Sequence, residues 1–333
     1  MRKSLLVLAA ALLSGGAFAA PYVWSSKLTT NPASEVKTGG VYRAYNLSDF
    51  QTVNPFVATE TPAIPSIMAN EVNLVTGLFR LDPTTNEYVP YMAESYKVSA
   101  NKLEWTVNIR KGMKWSDGKP ITADDWVTTA KIHSDENVGS NAHDSFFING
   151  KQIKVAKVDE DTVKFTFPSV AADAIELISY APWPAHVFGP VYASKGAAGV
   201  RAMWTVSVNP DDVVTAGPFV FSGYRPGERV NFTRNKYFGE WNKDSAGHAL
   251  PYLDGVQYTI TKDTNSAFAQ FMAGTLDTVA PRNADDLAQI KKAVDSGQLK
   301  AVFKPNVSPT ASSSWIVFNW NRKSDPFKQN LFR

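Results

Sequence analysis

The sequence predicts an α/β fold, and three observations predict it. The first is the stretch from Glu104 to Trp126, E-W-T-V-N-I-R-K-G-M-K-W-S-D-G-K-P-I-T-A-D-D-W, which reads as a strand, a tight turn and a capped helix. The second is the recurrence of strand patterns on both sides of it, at Val41–Tyr45, Thr162–Phe167, Ala216–Phe221, Arg229–Asn235 and Val256–Ile260. The third is a pair of later helices with their own start and stop signals, Thr264–Met272 and Asn283–Val294. Strands and helices that alternate along a chain build layered α/β structure.

The chain opens with Arg2 and Lys3, an apolar run from Leu5 to Leu13, and then Ala17-Phe18-Ala19. Positive start, apolar centre and small-residue end, in that order, define a secretory signal peptide cleaved near Ala19. The run is too short to span a bilayer, which takes about 20 residues. Residues 20–38 mix Ser, Thr, Pro and Lys without periodicity and read as a flexible leader. Order is expected from Gly39, with a first strand at Val41–Tyr45, a turn at Asn54-Pro55-Phe56 and a helix from Ile64 to Leu78.

In the Glu104–Trp126 unit, Trp105, Val107 and Ile109 alternate with Thr106, Asn108 and Arg110, the period of a strand with one buried face. Ser116-Asp117-Gly118 supplies turn residues, Thr122 is placed to cap the next helix, and Asp125 three positions on completes a capping box. Trp105 and Trp115 read as core. After the helix at Ala123–His133 and a polar loop to Asn149, Lys154–Lys157 and Thr162–Phe167 form a hairpin around Asp159-Glu160-Asp161. Ala171–Ser179 reads as a short helix closed by Ala181-Pro182-Trp183-Pro184. Two antiparallel strands follow through Phe219 and Phe232, then the strand to Ile260, a helix capped by Thr264, a short strand at Gly274-Thr275-Leu276-Asp277, and a helix capped by Asn283.

Composition narrows the function classes. The formal charge of +3 falls by two when Arg2 and Lys3 leave with the signal, so nothing in the charge balance points to nucleic acid. With 44% hydrophobic and 20% charged residues, the chain can build a substantial core, and its length suits two domains or more. Cysteine is absent, which excludes disulfides, a thiol nucleophile and lipid attachment at the cleavage site. The four histidines, His133, His143, His186 and His248, lack metal-ligand spacing. No G-x-S-x-G elbow, P-loop or G-x-G-x-x-G occurs. The acid pairs Asp124-Asp125 and Asp285-Asp286 sit at helix starts, where they stabilise the helix rather than offer acid–base chemistry.

The wording of the Glu104–Trp126 unit resembles the extracellular solute-binding proteins of family 5, the peptide- and nickel-binding components of ABC importers. The resemblance extends through Gly77–Asp82 with Tyr91–Tyr96, Ala216–Phe221 with Arg234–Phe238, Gly274–Asp277 (the family's "G-E-I-D"), and Trp315–Asn321 with Asp325-Pro326-Phe327. It implies a type II periplasmic-binding-protein-like, two-lobed fold with an inserted α/β domain and a truncated second lobe. The implied layout is a first part of lobe I at 39–66, the inserted domain at 67–184, a second part of lobe I at 185–283, and an incomplete start of lobe II at 284–333. A monomer is expected, and the signal peptide with the missing cysteine adds the expectation of a soluble protein, periplasmic or secreted and not a lipoprotein. Such a protein captures a peptide or other small solute in an interlobe cleft and delivers it to an ABC permease with its ATPase subunits. No cofactor or metal, no nucleic acid and no catalysis are expected. In peptide-binding relatives the acid that pairs with the ligand's amino group lies in the later lobe, so weak binding or none is expected of this chain alone.

Open α/β sheets place ligands at strand ends, which selects Tyr45 and Asn46 after the first strand, Pro281 and Arg282 before a helix, and Trp315 and Asn319 in the crossing segment. Phe146 and Phe147 join them as residues of a loop of the inserted domain that overhangs the cleft. For each, turn, cap or packing is the competing role. Two other functions stay open at this point: a secreted hydrolase, which requires a nucleophile and base to converge, and an envelope protein of chaperone-like role on the same fold.

Overall fold

The computed structural model describes residues 17–18, 36–57, 76–82, 87–244 and 246–301. In chain order its principal elements are β1 (Val41–Asn46), β2 (Phe79–Asp82), β3 (Glu87–Pro90), β4 (Ala93–Val98), β5 (Glu104–Ile109), α1 (Ala123–His133), β6 (Phe147–Ile148), β7 (Lys151–Gln152), β8 (Lys154–Asp159), β9 (Thr162–Thr166), α2 (Ala174–Leu177), α3 (Ala185–Arg201), β10 (Phe219–Arg225), β11 (Arg229–Arg234), α4 (Phe238–Trp241), β12 (Gly255–Ile260), α5 (Thr264–Met272) and α6 (Ala284–Asp295). They divide between two compact units, residues 1–280 and residues 281–333.

The first unit contains two main sheets. One is antiparallel, in the order Ala17–Phe18, β4, β5, β9, β8. Its alternation follows the sequence: Val107 and Ile109 in β5, and Val163 and Phe165 in β9, are buried on one face. Trp105 is half-buried and stacks on Tyr96, centroids 5.7 Å apart and planes within 10°. Trp115, Trp126, Leu78 and Met92 fill the core beside this sheet.

The other sheet runs β10, β11, β12, β1, with the first three antiparallel and β12 parallel to β1, Gly255 opposite Val41 and Ile260 opposite Asn46. Gly255 is required there because a Cβ would lie 2.5 Å from the Phe232 carbonyl oxygen. Ala44, Phe56, Phe188, Trp204, Phe221, Val230 and Tyr258 form a separate core against this sheet. Phe188 of α3 meets Phe56 at 4.9 Å and Trp204 at 4.7 Å, both edge to face.

Several elements differ from the sequence reading. The helix expected at Ile64–Leu78 falls mostly outside the described residues, and its described end, Thr76 to Leu78, is not helical. The helix expected at Ala171–Ser179 is confined to Ala174–Leu177. The α3 helix was not anticipated: Gly189, Pro190, Gly196 and Gly199 mask its propensity, and Gly196 breaks it locally with φ 61°. Asp263, not Thr264, caps α5, accepting from Asn265 and Ser266 N–H groups. The expected strand at Gly274–Asp277 is an irregular segment, because a single aspartate rather than a ladder attaches it to β1.

Candidate functional site

Because β1 and β12 run parallel, their C-terminal ends, Asn46 and Ile260, reach the same edge of the sheet. That edge is where open α/β sheets receive ligands. The Asn46 carbonyl accepts from the Thr261 N–H at 2.9 Å, joining the two strand ends. Thr261 is buried, and among the described residues its hydroxyl has no hydrogen-bond partner. Tyr45 and Asn46 are half-buried, and Asn46 Nδ2 donates to the Ser48 carbonyl at 2.7 Å.

The loop after β1 is held from two directions. The Asp49 carboxylate accepts from the Phe50 and Gly227 N–H groups at 2.8 Å each and from the Tyr224 hydroxyl at 2.5 Å. Desolvation opposes its charge, but these donors win and keep its pKa below the ordinary value. Asn54 is buried, donates to the Val200 and Met203 carbonyls at 2.7 and 3.0 Å, and accepts from the Phe56 N–H at 2.9 Å. It fixes the loop to the end of α3.

A second wall comes from residues 274–280, which pass along the outer side of β1. Arg43 holds Asp277 through Nη2–Oδ1 at 2.6 Å and Nε–Oδ2 at 3.1 Å, and this pairing lowers the carboxyl pKa. Farther on, the Ala280 N–H approaches the Tyr45 hydroxyl at 3.5 Å. The Arg43 and Asp277 charges satisfy each other, so the strand ends present hydroxyl, carboxamide and backbone groups. This chemistry suits hydrogen bonding to a polar ligand and supplies no activated nucleophile.

The other sequence-selected residues do not gather there. Phe146 is buried, parallel to His133 at 5.5 Å and edge-on to Tyr180 at 4.9 Å, on the wall of a cavity of about 620 Å³ beside β2 and β3. That cavity shares no lining residue with the β1 end. Phe147 is half-buried and stacked on His143 at 4.7 Å. Pro281 is exposed, and Arg282 clasps Asp286 within the second unit, with Nη2–Oδ1 and Nε–Oδ2 both at 2.7 Å. Trp315 and Asn319 lie outside the described residues. The roles of Thr261, Asp49 and Asp277 escaped the sequence reading; an arginine alternating with Val41 and Tyr45 in β1 was the available signal for the last.

The histidines are dispersed, each with its own partner: His133 with Ser140, His143 with Asp144, His186 with Asp117, and His248 with Asp244. Among the described residues no group of three or more His, Cys, Asp or Glu side chains is arranged to hold a metal ion.

The Glu104–Trp126 unit, in contrast, is a joint. The Ser116 N–H donates to the Thr215 carbonyl at 2.9 Å, and the Thr215 N–H returns to Ser116 Oγ at 3.1 Å. Gly118 adopts φ 88° and lies so close to Tyr237 that a Cβ would be 2.8 Å from its hydroxyl. Asp125 accepts from the Thr122 N–H at 2.8 Å, the Ala185 N–H at 2.7 Å and Trp115 Nε1 at 3.2 Å, tying the starts of α1 and α3 together. Burial pushes its pKa up to about 6 against the pull of these donors.

The architecture is that of the type II periplasmic-binding-protein-like structures. The structure of the ABC transporter substrate-binding protein CtaP from Listeria monocytogenes is 28% identical with a TM-score of 0.60, covering 77% of this chain and 47% of that one. The oligopeptide-binding protein AppA from Bacillus subtilis, solved with a nonapeptide, is 25% identical with a TM-score of 0.62, covering 77% of this chain and 46% of that one. The sequence model of the bacterial extracellular solute-binding proteins, family 5 (middle region), matches residues 87–333, and the chain belongs to this family. A Deinococcus radiodurans relative described as an ABC transporter-binding protein is 50% identical over 332 residues, 99% of this chain and 55% of the relative. The chain thus spans about half the length of the relatives it matches. Among the described residues no helix is long and apolar enough to cross a membrane.

Proposed function

We propose that this chain contributes one wall of a solute-capture cleft in an exported ABC-importer binding protein, and that the solute is a peptide or a similar small polar molecule delivered to a permease. The observation that carries this reading is the convergence of the β1 and β12 ends, Tyr45, Asn46 and Thr261, beside the 274–280 segment in a family 5 chain. The peptide class is supported by relatives described as dipeptide- and oligopeptide-binding proteins. In this reading β1 and residues 185–283 build lobe I, residues 67–184 form the inserted domain, and residues from 284 begin lobe II. Capture needs no covalent step. Ligand binding selects among open and closed arrangements of the lobes.

Ligand-observed NMR on the 333-residue chain with a set of di- and oligopeptides reads affinities as weak as about 1 mM, worth about 4 kcal/mol. Saturation transfer to a peptide, reduced by Asn46→Ala and Tyr45→Ala, is the expected result. Transfer indifferent to both substitutions rejects the assigned wall, and transfer to other small polar solutes but to no peptide rejects the peptide class.

A further inference from the structure

The cavity of about 620 Å³ beside β2 and β3 is also bounded by the end of α1 and by the short α2. Five aromatic side chains line it: Phe79, Tyr88, Tyr91, Phe146 and Tyr180. Phe79, Tyr91 and Phe146 are buried, and Tyr88 and Tyr180 are half-buried. Two of the three tyrosine hydroxyls are already committed, Tyr180 donating to the Trp126 carbonyl at 3.0 Å and Tyr91 accepting from Asn242 Nδ2. Thr76 Oγ1 likewise donates to Met92 Sδ at 3.1 Å, and Ser179 Oγ to the Ile175 carbonyl. The walls therefore offer ring surface and few free hydrogen-bonding groups. His133, held neutral by burial, adds no charge to them.

Two charged residues complete the lining, Arg80 and Glu176. The Arg80 guanidinium stands over the Tyr91 ring, 5.6 Å from its centroid, so one wall already holds a cation. Glu176 is exposed, and among the described residues it has neither an ion pair nor a hydrogen bond. Burial and then the Glu176 charge raise the Tyr88 hydroxyl above its ordinary pKa, which puts the carboxylate within electrostatic reach of that ring. Among the described residues Tyr88 packs on no other ring. A free carboxylate beside an unstacked aromatic face attracts positive charge in two ways, by ion pairing and through the negative face of the ring. A metal ion does not match, since it takes several oxygen ligands and among the described residues no group of three or more His, Cys, Asp or Glu side chains is placed to hold one. The volume suits an organic molecule, for which sites run to roughly 300–1,000 Å³.

We propose that this cavity is a second ligand site, which takes an organic cation: an ammonium group carried on an aromatic or alkyl body. Glu176 pairs with the ammonium, Tyr88 lays its ring against it, and the body rests on Phe79, Phe146 and Tyr180. Arg80 repels the ammonium from the Tyr91 side, which fixes the direction in which the ligand lies. Methyl groups on the nitrogen are no obstacle, because a ring face needs no N–H donor. The cavity shares no lining residue with the β1 end, so the inference stands whatever solute that end meets.

Titration of the full chain with benzyltrimethylammonium, benzyl alcohol and benzenesulfonate, followed by ligand-observed NMR, tests the charge preference on one common ring. The cation is expected to bind at least about fivefold more tightly than the alcohol, and the sulfonate more weakly than either. Glu176→Gln should weaken the cation by about fivefold and leave the alcohol unchanged. Glu176→Lys should reverse the order and put the sulfonate first. Tyr88→Leu should cost the cation a similar factor, whereas Tyr88→Phe, which keeps the ring, should retain nearly all of the affinity. If circular dichroism shows that Tyr88→Leu has lost its fold, the two substitutions at the exposed Glu176 carry the test. Undetectable binding of the cation overturns the proposal, as does equal binding of cation and alcohol, or a preference for the cation that survives Glu176→Gln.

Discussion

The Glu104–Trp126 unit and the Val41–Asn54 segment lie in the same unit of the chain and teach opposite lessons. The former is dense with recognisable residues, and the structure spends nearly all of them on construction: Trp115 and Trp126 are fully buried, Gly118 fits under Tyr237, and Asp125 gathers three N–H donors. The latter is plain in sequence, yet it leads to the strand end where polar groups are presented. A joint accepts one geometry and so one pattern of residues, whereas a wall that meets solutes needs only a well-placed backbone and a few polar groups.

The widest way to break this contrast is to truncate one large side chain in each region. Trp115→Ala removes a completely buried indole and a donor to Asp125, and should cost about 3–5 kcal/mol of unfolding free energy by urea titration. Tyr45→Ala, at a half-buried strand end, should stay within about 1 kcal/mol. Comparable costs at the two positions would erase the distinction. Asn54→Ala sharpens it from inside the plain segment. Its side chain serves two carbonyls and one N–H in a buried place, so its loss leaves three backbone groups without that partner and should cost about 1–3 kcal/mol. The segment thus has a structural root at Asn54, and in the proposed reading its tip at Asn46 is what meets the solute.

The two regions also answer pH in different windows. His133 at the end of α1 is held neutral by burial, its pKa pushed down to about 3. The unfolded chain, with an ordinary histidine, takes up a proton first as pH falls, so stability is lost from about 6.5 downward, amounting to about 1.4 kcal/mol at pH 5.5 relative to pH 8. Asp125 at the start of the same helix acts in the opposite sense. Its folded pKa near 6 exceeds the unfolded value, so the folded state binds the proton first and gains about 0.8 kcal/mol over the same interval. His133→Asn removes the first contribution and keeps a side-chain nitrogen near Ser140. The difference in unfolding free energy between variant and wild type should therefore shrink by about 1.4 kcal/mol from pH 8 to pH 5.5. Around β1 the titrating groups are Asp49 and Asp277, both lowered, and their contribution persists until pH falls below the ordinary carboxylate range.

What was legible in the sequence follows the same division. The β5 alternation, the 116–118 turn, the start of α1 and the Asn283 cap could be read because each is a local rule written in adjacent residues. The α3 helix could not, since Gly189, Pro190 and Gly196 argue against a helix whose support comes from Phe188 packing on Phe56 and Trp204, distant in sequence. Asp277 illustrates the same limit. "G-T-L-D" suggested a strand, but what holds it is a guanidinium 234 residues earlier. Of the candidate site, Tyr45 and Asn46 were found from strand-end logic, while Thr261 was missed because its position depends on the parallel register of β12 with β1.

Thr261 gives the finest test of whether the strand end is a wall or merely an end. Among the described residues its hydroxyl is buried without a partner, an arrangement that costs stability unless another group uses it. Thr261→Val replaces that hydroxyl with a methyl of similar size. If the group serves only the fold, the substitution should leave stability unchanged or raise it by up to about 1 kcal/mol, with peptide saturation transfer unaltered. If it faces the solute, the same small gain in stability should come with weakened transfer. Stability and binding then separate at a single oxygen, whereas at Trp115, whose indole supports the joint, both should fall together. A loss of more than about 1 kcal/mol in Thr261→Val would show that the hydroxyl supports the fold after all, and would move the presenting edge of the site back to Tyr45 and Asn46.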